Sequence, residues 1–413
     1  MVGGGFGGLF AARALKGAPV RVTLIDRENH HVFQPLLYQV ATAVLSPGDI
    51  ASPIRWVLRR QRHVEVLLGE VARVDPVARV VVLDDGTTVG YDYAIIAAGA
   101  SHSYFGHDEW APYAPGLKTL QDALTIRRQV LLAYERAERE TDPARQRTLL
   151  TFVVVGGGPT GVEMAGSLIE IARQTLRREF RHIDPESARV VLVEAGPAIL
   201  PAFPEDLRDK ARRTLRERGV EVWERAAVTG VEPGRVHVGD HVLESETVIW
   251  AAGVEASSLG ASLGVEVDRR GRVPVRPDLS VPGHPEVFVV GDLASFPHQT
   301  GEPLPGVAQV AMQGGAAAAA NIERLARGQA TEPFHYRDYG NMATIGRASA
   351  VADLGRLHVS GYAGWLLWLF IHLLWLVGFR NRLSVLLQWA TAYLTYQRSV
   401  RLIVGGPPRG GGP

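Results

Sequence analysis

The feature that most constrains the fold is a glycine-rich fingerprint that occurs twice. Glycines at 3, 5 and 8 and again at 156, 158 and 161 spell G-x-G-x-x-G. An apolar run ending in an acid follows each copy, at Arg21–Asp26 and at Arg189–Glu194. Two further runs, Tyr91–Gly99 and Thr247–Gly253, end in small residues at matching positions. This repeat predicts two α/β dinucleotide-binding folds in one chain.

Each part of the fingerprint has a physical role. The first glycine permits a tight turn, the second lets backbone approach a pyrophosphate, and the third lets the helix pack closely on the strand. The N-terminus of that helix then meets the phosphates. The acid, Asp26 or Glu194, is expected to bind ribose hydroxyls. A carboxylate repels a 2′-phosphate, and the residues that follow Glu194, Ala195 and Gly196, offer no arginine. The second unit therefore predicts NADH rather than NADPH.

The first unit departs from the usual pattern at its start. Only Met1 and Val2 precede Gly3, whereas a strand in this position normally has about five residues. We interpret this as a mis-assigned or truncated start, with a tolerated stub as the alternative. Further along, Val287–Ala294 is a strand-like run ending in Gly-Asp. In a chain with two dinucleotide folds it predicts that Asp292 reaches a flavin ribityl chain, although such a dipeptide is also a common turn.

Secondary structure between these motifs follows from periodicity and turn signals. We expect a long helix over residues 162–182, β-hairpins within 60–95 and 225–250, and a helix starting near Pro305. The predicted division is a first FAD part at 1–110, an NADH domain at 111–255, a second FAD part at 256–335 and a C-terminal region at 336–413.

Composition excludes several classes of chemistry. The 413 residues contain no cysteine, which rules out disulfide relays, iron–sulfur clusters and thiolate zinc sites. The adjacent His30 and His31 lack carboxylate or histidine partners at metal-ligand spacing, so no catalytic metal is expected. The body also lacks the basic stripe that a nucleic-acid-binding protein needs.

The C-terminal 60 residues differ from the rest. They contain six arginines, four of the eight tryptophans and no acidic residue, whereas the remaining chain has 38 basic and 43 acidic residues. A basic, tryptophan-rich segment of this kind is typical of a membrane surface element.

This tail contains the apolar stretch Tyr362–Phe379, long enough as a helix to cross most of a bilayer. Arg380-Asn381-Arg382 follows directly, against the positive-inside tendency for a cytoplasmic body. The next segment is amphipathic, with polar residues at 4-3-4-3 spacing opposite apolar ones. The polar set is Ser384, Gln388, Thr391, Thr395 and Arg398, and the apolar set is Leu386, Leu387, Ala390, Tyr393 and Leu394. We favour a monotopic helical hairpin over a transmembrane span.

Four segments resemble one known family. Asp26–Ile54 reads DRENHHVFQPLLYQVATAVLSPGDIASPI, Gly158–Gly166 reads GPTGVEMAG, Ala308–Gln313 reads AQVAMQ, and the tail contains FRNRLSVLLQWATAYLTYQR. They are similar to the signatures of the type II NADH:quinone oxidoreductases, single-subunit flavoproteins with two dinucleotide-binding domains. The resemblance covers the chain apart from the missing first strand. The implied fold class is α/β, with two Rossmann-like domains, one nested in the other, and a C-terminal amphipathic helical region that binds membranes.

The motifs and the resemblance together place the functional residues. Glu163 is expected near the nicotinamide, where it orients the ring or relays a proton, although a carboxylate in a first helical turn also suits the helix dipole. Gln309 and Gln313 share a helix face and are expected to bind a quinone carbonyl, the alternative being two solvated amides. The expected cofactor contacts are Gly3, Gly5, Phe6, Gly7, Gly8, Asp26, Arg27, Gln34, Pro35, Val71, Ala98, Gly99, Asp292, Ala308 and Gln309, with Gly156, Gly158, Pro159, Gly161, Glu194 and Gly253.

The resemblance implies a respiratory flavoenzyme that transfers hydride from NADH to FAD and then two electrons to a membrane quinone, without proton pumping. A peripheral position on the cytoplasmic face of the inner membrane, a homodimeric state and no nucleic-acid partner are expected. Two rivals stay open: a soluble NAD(P)H-dependent reductase of a ferredoxin-like protein, and a non-catalytic NAD(H) sensor.

The ribose assignment gives a direct test. Replacing Glu194 by Gln removes the charge that repels a 2′-phosphate, so the preference in kcat/KM for NADH over NADPH should narrow by about tenfold. Steady-state rates with both nucleotides measure this. An unchanged ratio in Glu194→Gln would show that another residue selects the nucleotide.

Overall fold

The computed structural model describes residues 1–395, 398 and 400–403, which fall into two compact units. The first unit comprises residues 1–32, 51–101 and 254–339, and the second comprises 33–50, 102–253 and the chain from 340 onward. Residues 33–50 thus group with the second unit, although they lie within the predicted first FAD part. The position of Arg409 and the side chains of Leu394 and Thr395 lie outside the described structure.

The elements are numbered in chain order. The helices are α1 (Phe6–Ala14), α2 (Leu37–Ala41), α3 (Pro47–Ile50), α4 (Ile54–Leu58), α5 (Leu120–Arg139), α6 (Pro143–Leu149), α7 (Pro159–Glu170), α8 (Glu205–Glu217), α9 (Ala308–Ala326), α10 (Gly361–Trp375) and α11 (Phe379–Thr395). The strands are β1 (Val22–Asp26), β2 (His30–Val32), β3 (Ala51–Pro53), β4 (Val64–Leu68), β5 (Val71–Asp75), β6 (Val80–Leu83), β7 (Thr88–Gly90), β8 (Ala94–Ile96), β9 (Ala100–His102), β10 (Thr151–Val155), β11 (Arg189–Glu194), β12 (Val220–Glu224), β13 (Val228–Glu232), β14 (Arg235–Val238), β15 (His241–Glu244), β16 (Thr247–Trp250), β17 (Val254–Ala256), β18 (Val273–Pro274), β19 (Ser280–Val281), β20 (His284–Val289), β21 (Ala294–Ser295), β22 (Asn341–Gly346), β23 (Ser349–Asp353) and β24 (His358–Ser360).

The first unit contains a parallel sheet in which β4 pairs with β1 and β8 pairs with β20. Val2 lies between these pairs and bridges Ile25 and Ile96 in parallel. Its N–H donates to the Ile95 carbonyl at 2.9 Å. Met1 and Val2 therefore lie at the position of the central strand. This agrees with the alternative that the fold tolerates a short first strand.

Two helices of the first unit approach each other closely. A Cβ on Gly315 of α9 would lie 2.1 Å from the carbonyl oxygen of Gly7 in α1. Only glycine fits at such a distance. The helix that follows the glycine loop therefore packs directly against α9.

The second unit repeats this design with a full set of strands. Its sheet is parallel throughout, in the order β12-β11-β10-β16. All five residues of β10 are buried, which is typical of a central parallel strand covered on both faces. The predicted α/β class with two dinucleotide-binding folds is confirmed.

Three local predictions differ from the structure. Each predicted hairpin is a three-stranded antiparallel meander, β5-β6-β7 in the first unit and β13-β14-β15 in the second. The helix expected over 162–182 is shorter, because α7 ends at Glu170 and a π-helical turn over Ile171–Thr175 follows it. The helix expected near Pro305 begins at Ala308.

The tail forms two helices, α10 and α11, so the stretch Tyr362–Phe379 is not one continuous helix. Leu376 is extended, and Arg382 donates to the carbonyls of Leu374 and Leu376, at 2.6 and 2.8 Å. This guanidinium caps the C-terminal end of α10, where carbonyl groups lack helical partners. Within the described part of the chain, no helix combines the length and apolarity needed to cross a bilayer.

The glycine loop of the second unit allows a matched test of fold stability. A Cβ on Gly161 would lie 1.8 Å from the Gly156 carbonyl oxygen, whereas a Cβ on Gly158 meets nothing within 4 Å. Gly161→Ala should therefore cost about 3 kcal/mol or more of stability and lower Tm by about 6 °C or more. Gly158→Ala should leave Tm nearly unchanged. Thermal unfolding followed by circular dichroism measures both; equal Tm values would contradict the packing argument.

Candidate functional site

The first glycine loop has the shape that a dinucleotide requires. Gly3 adopts a φ of +96°, which opens the turn, and a Cβ on Gly8 would lie 1.8 Å from the Gly3 carbonyl oxygen. Gly5 is the N-cap of α1, and a Cβ there meets nothing within 4 Å. The loop therefore leaves open space directly before a helix N-terminus with no acidic residue in its first turn, which suits the pyrophosphate of FAD.

Asp26 ties this loop to the end of β1. Its Oδ2 accepts the N–H of Gly4 at 2.5 Å, and its Oδ1 accepts the N–H of Glu28 at 2.7 Å. Burial raises the pKa of the Asp26 carboxyl above its usual range. The carboxylate stands beside the loop, where a ribose hydroxyl can donate to it.

The second glycine loop repeats this arrangement. Gly156 has a φ of +107°, and the open position is now Gly158, the N-cap of α7. Pro159 takes the first helical position, where its missing N–H is not needed. Glu194 accepts the N–H of Gly157 at 2.6 Å and that of Gly196 at 2.5 Å. The two acids thus make the same pair of backbone contacts, and the residues fit a second dinucleotide.

The remaining predicted flavin contacts divide between the units. Asp292 lies in the turn after β20, where Gly291 has a φ of +72°. The first unit also contains Arg27, Val71, Ala98, Gly99 and Ala308. Gln34 and Pro35 lie in a short 3-10 turn of the second unit, which also contains Gly253. The predicted roles of these residues stay predictions.

Gln309 and Gln313 lie on one face of α9 and hold a neighbouring segment. Gln313 donates to the Arg337 carbonyl and accepts the Arg337 N–H, both at 2.9 Å. The Gln309 amide oxygen accepts the Tyr339 N–H at 3.1 Å. These amides are therefore not simply solvated, and they fix the backbone of residues 337–339 beside α9.

Glu163 is buried in the second unit. Its Oε1 accepts the N–H of Thr344, on β22, at 3.3 Å. Burial raises the pKa of the Glu163 carboxyl to about 8, and the single backbone donor only partly opposes this shift. The carboxyl is thus mainly protonated at neutral pH, within α7, the helix that starts at the second glycine loop.

A cavity in the second unit contains this carboxyl. It encloses about 700 Å³ of space, part of it open to solvent, and Glu163, Tyr38 and Arg398 lie in its wall. Much of the remaining wall is aromatic and comes from the tail helices. Those aromatic residues are Trp365, Trp368, Trp389 and Tyr393.

Sequence reasoning assigned no role to Tyr38, although it lies within the family-like segment Asp26–Ile54. Its hydroxyl lies 3.0 Å from Thr344 Oγ1 and accepts a hydrogen bond from Gln39 Nε2 at 2.9 Å. The Gln39 amide oxygen accepts the indole N–H of Trp389 at 2.7 Å. A continuous polar chain therefore runs from the tail helix α11 to the residue whose N–H binds Glu163. Burial raises the pKa of the Tyr38 phenol above its usual range, so this group stays neutral.

Arg398 closes another side of this region. Its side chain is 3% exposed, donates to the Thr42 carbonyl at 2.7 Å and pairs with Glu170 at 3.3 Å. We predicted it on the polar stripe of the tail helix; the structure places it inside the unit. Burial is the main reason that its pKa lies below the usual arginine range.

The histidine pair shows no metal-site geometry. Among the described residues, no group of three or more histidine, cysteine, aspartate or glutamate side chains is placed to hold a metal ion. His30 is hydrogen-bonded to Asn29, whereas His31 is buried.

Comparison with known proteins places the chain in a family. Residues 1–315 match the pyridine nucleotide-disulphide oxidoreductase family, and residues 339–398 match the NDH2 C-terminal domain. The type II NADH:quinone oxidoreductase Ndh of Mycobacterium tuberculosis is 48% identical over 413 residues, covering 96% of this chain and 88% of that protein. NdhA of the same organism is 49% identical, covering 95% of this chain and 86% of that protein.

Solved structures share the fold. NDH2 from Plasmodium falciparum in complex with NADH aligns with a TM-score of 0.87 at 19% identity, covering 98% of this chain and 99% of that one. The sulfide:quinone oxidoreductase of Aquifex aeolicus aligns with a TM-score of 0.73, also at 19% identity, covering 92% and 91%. The sequence matches are more specific than these alignments. The sequence matches show that the chain belongs to the pyridine nucleotide-disulphide oxidoreductase family and, within it, to the type II NADH:quinone oxidoreductases.

Proposed function

We propose that this protein oxidises NADH and reduces a membrane quinone at the surface of a bilayer, with FAD as its bound cofactor. When bound, FAD supplies the chemistry that accepts a hydride and returns two electrons. Gly5 and Asp26 support the FAD assignment, and Gly158 and Glu194 support the NADH assignment. No proton translocation is part of the proposed reaction.

The observation that carries the proposal is the composition of the cavity in the second unit. One of its residues, Glu163, comes from α7, which begins at the predicted NADH loop. Others, including Trp368 and Trp389, come from the tail helices. The same space is thus bordered by the nucleotide-binding helix and by the predicted membrane-binding element. Aromatic walls suit a planar quinone ring.

Glu163 has the properties of a group that holds a proton near the reacting rings. Hydride transfer from NADH needs no base, but reduction of a quinone to a quinol takes up two protons. A carboxyl with a pKa of about 8 is mainly protonated at neutral pH and can donate. We propose that Glu163 orients the nicotinamide or relays a proton, and that it does not abstract one.

The outer face of the tail supports attachment to a bilayer. Tyr362, Leu366, Phe370 and Leu374 are exposed at four-residue spacing on α10. The second helix adds exposed apolar side chains at Leu383, Leu386 and Leu387. Seven exposed apolar side chains on one pair of helices are typical of a membrane-binding face.

Two residues of the polar stripe of α11, Ser384 and Gln388, face the protein instead. Ser384 donates to Asp49 Oδ1 at 2.7 Å, and Gln388 donates to Asp49 Oδ2 at 2.8 Å. Because these two side chains donate to a carboxylate of the protein itself, the helix can present its apolar side outward. This inversion favours a lipid-facing tail over the soluble reductase of a protein acceptor.

Two finer expectations belong to the same proposal. We propose that the bilayer is the inner membrane, approached from its cytoplasmic face, because the tail contains only basic charges and cytoplasmic leaflets attract them. The homodimer expected from family resemblance stays a prediction, which sedimentation of the detergent-purified protein measures.

The membrane proposal predicts how single charged substitutions on the protein surface change its binding to lipid vesicles. Leu387 is 57% exposed on α11 and Leu68 is 63% exposed in the first unit. Leu387→Glu should reduce binding to lipid vesicles by about tenfold or more, because a charge replaces an apolar side chain at the lipid surface. Leu68→Glu, the matched control, should bind as the original protein does. Vesicle sedimentation measures both; equal loss in the two variants would contradict a tail-specific anchor.

Glu163 predicts a pH dependence of stability. Burial raises the pKa of its carboxyl from the ordinary 4.5 to about 8 in the folded protein, so the folded state retains a proton that the unfolded chain releases. The contribution of Glu163 to the unfolding free energy should therefore fall as pH rises from about 5 to 8, by at most about 1.4 kcal/mol per pH unit. Glu163→Gln should lose this contribution, so the difference in unfolding free energy between the original protein and the variant should change with pH.

Thermal unfolding without NADH between pH 5 and 8 measures the effect. Glu109 is exposed, and its pKa is lowered, with its own backbone hydrogen bond as the leading cause. Glu109→Gln should therefore keep the slope of the original protein. A slope in Glu163→Gln that equals the slope of the original protein would show that this carboxyl does not retain its proton in the folded state.

Catalysis with quinone tests the function itself. Detergent-purified protein should oxidise NADH when a quinone is added, and the sensor alternative predicts no turnover. Activity with a ferredoxin-like acceptor and none with quinones would favour the soluble reductase.

The two half-reactions test the α9 glutamines. We propose that Gln309 and Gln313 act on the quinone side, and the contact of Gln313 with Arg337 shows that it also holds backbone. Gln313→Leu should slow flavin reoxidation by quinone about tenfold and change flavin reduction by NADH much less. Stopped-flow absorbance separates the steps. Gln313→Glu keeps an acceptor for the Arg337 N–H and should be affected less. Slower reduction with unchanged reoxidation would assign these residues to the nicotinamide side.

A further inference from the structure

His31 is a buried residue to which the reaction assigns no role. Its side chain is only 1% exposed, and its Nδ1 lies 3.1 Å from the carbonyl oxygen of Gly4. Phe6, the first residue of α1, contacts the imidazole edge-to-face, with ring centroids 5.1 Å apart. The imidazole therefore contacts both the first glycine loop and the first residue of the helix that follows it.

The chemistry of this contact fixes the tautomer. Burial lowers the pKa of the His31 imidazole to about 4, so the ring is neutral at physiological pH. A carbonyl oxygen can only accept, which places the hydrogen of the neutral ring on Nδ1. His31 is thus a neutral donor to Gly4.

The peptide groups of Gly4 are held on both sides. Its N–H donates to Asp26 at 2.5 Å, and its carbonyl accepts from His31. A Cβ at this position would lie 2.5 Å from Ile54 Cδ1. The orientation of the Gly4–Gly5 peptide is therefore set by two side chains, and this peptide leads directly into the helix N-terminus.

The second glycine loop provides an internal comparison. Gly157, the counterpart of Gly4, donates its N–H to Glu194 at 2.6 Å. Its carbonyl accepts the backbone N–H of Leu200 at 2.7 Å. Both loops therefore hold the same N–H by an acid and the same carbonyl by a donor. In the first loop that donor is an imidazole rather than a backbone amide.

We propose that His31 is a positioning residue of the FAD site, whose Nδ1–H holds the Gly4 carbonyl and so keeps the glycine loop in its pyrophosphate-binding shape. The inference rests on the proposed function, because it takes FAD as the dinucleotide of the first unit. A purely structural histidine would affect stability alone.

Two replacements of His31 that are nearly isosteric with each other separate positioning from packing. Asparagine places an amide nitrogen close to the position of imidazole Nδ1, whereas leucine has the same shape and no donor. The adjacent His30 is hydrogen-bonded to the Asn29 side chain at 3.0 Å, so His30→Leu is the matched control. The experiment titrates the full-length apoprotein with FAD, follows quenching of flavin fluorescence, and records Tm for each variant.

His31→Leu should raise the Kd for FAD by about fivefold to tenfold, the range expected for one lost neutral hydrogen bond. His31→Asn should bind FAD within about threefold of the original protein, even where its Tm equals or falls below that of His31→Leu. His30→Leu should leave the Kd unchanged, and no variant should alter NADH binding to the second unit.

Equal FAD affinity in His31→Leu and the original protein would overturn the proposal. So would equal weakening in His31→Leu and His31→Asn, since packing alone would then account for the effect. If the original apoprotein does not bind FAD, the proposed function itself fails, which is a separate outcome from a failure at His31.

Discussion

Both units depend on one steric constraint, the contact of a helix with the turn that precedes it. Gly8 packs against the Gly3 carbonyl, and Gly161 packs against the Gly156 carbonyl, at distances that no side chain permits. This contact directs the helix N-terminus at the open space beside Gly5 or Gly158. The acid at the end of the next strand can then reach the loop N–H, as Asp26 and Glu194 both do. Each unit therefore presents the same open space and the same carboxylate to a dinucleotide.

The tail contributes to the second unit as well as to its outer surface. Trp368 and Trp389 are buried and border the cavity that contains Glu163. Deleting the tail would therefore remove cavity walls together with the apolar face. Point substitutions on the outer face separate membrane attachment from the integrity of the cavity.

Sequence patterns predicted the parts of the fold that are local. The strand Arg189–Glu194 has the predicted bounds, because an apolar β-branched run of this kind is strongly typical of a buried parallel strand. The end of α7 at Glu170 was missed, since nothing in residues 171–182 resembles a helix stop such as proline or glycine.

The candidate site was less predictable because its contacts are distant in sequence. Tyr38 and Thr344 are 306 residues apart, and no periodicity relates them. The burial of Glu163 depends on β22, which sequence reasoning did not place beside α7. The inward direction of Ser384 and Gln388 depends on Asp49, a single carboxylate in a short helix. Amphipathic spacing identified the polar stripe. The spacing could not show whether the polar side chains form hydrogen bonds with the protein or with solvent.

The way in which Asp49 holds α11 has a consequence for ionic strength. The hydrogen bonds that it accepts come from neutral groups: the Ser46 N–H and hydroxyl, the Ser384 hydroxyl and the Gln388 amide. The Arg398–Glu170 ion pair that also fixes the tail is buried on its arginine side. Salt screens exposed charges much more than such contacts. Concentrated salt should thus leave the tail docked on its own protein while it weakens attraction between exposed arginines and anionic lipid.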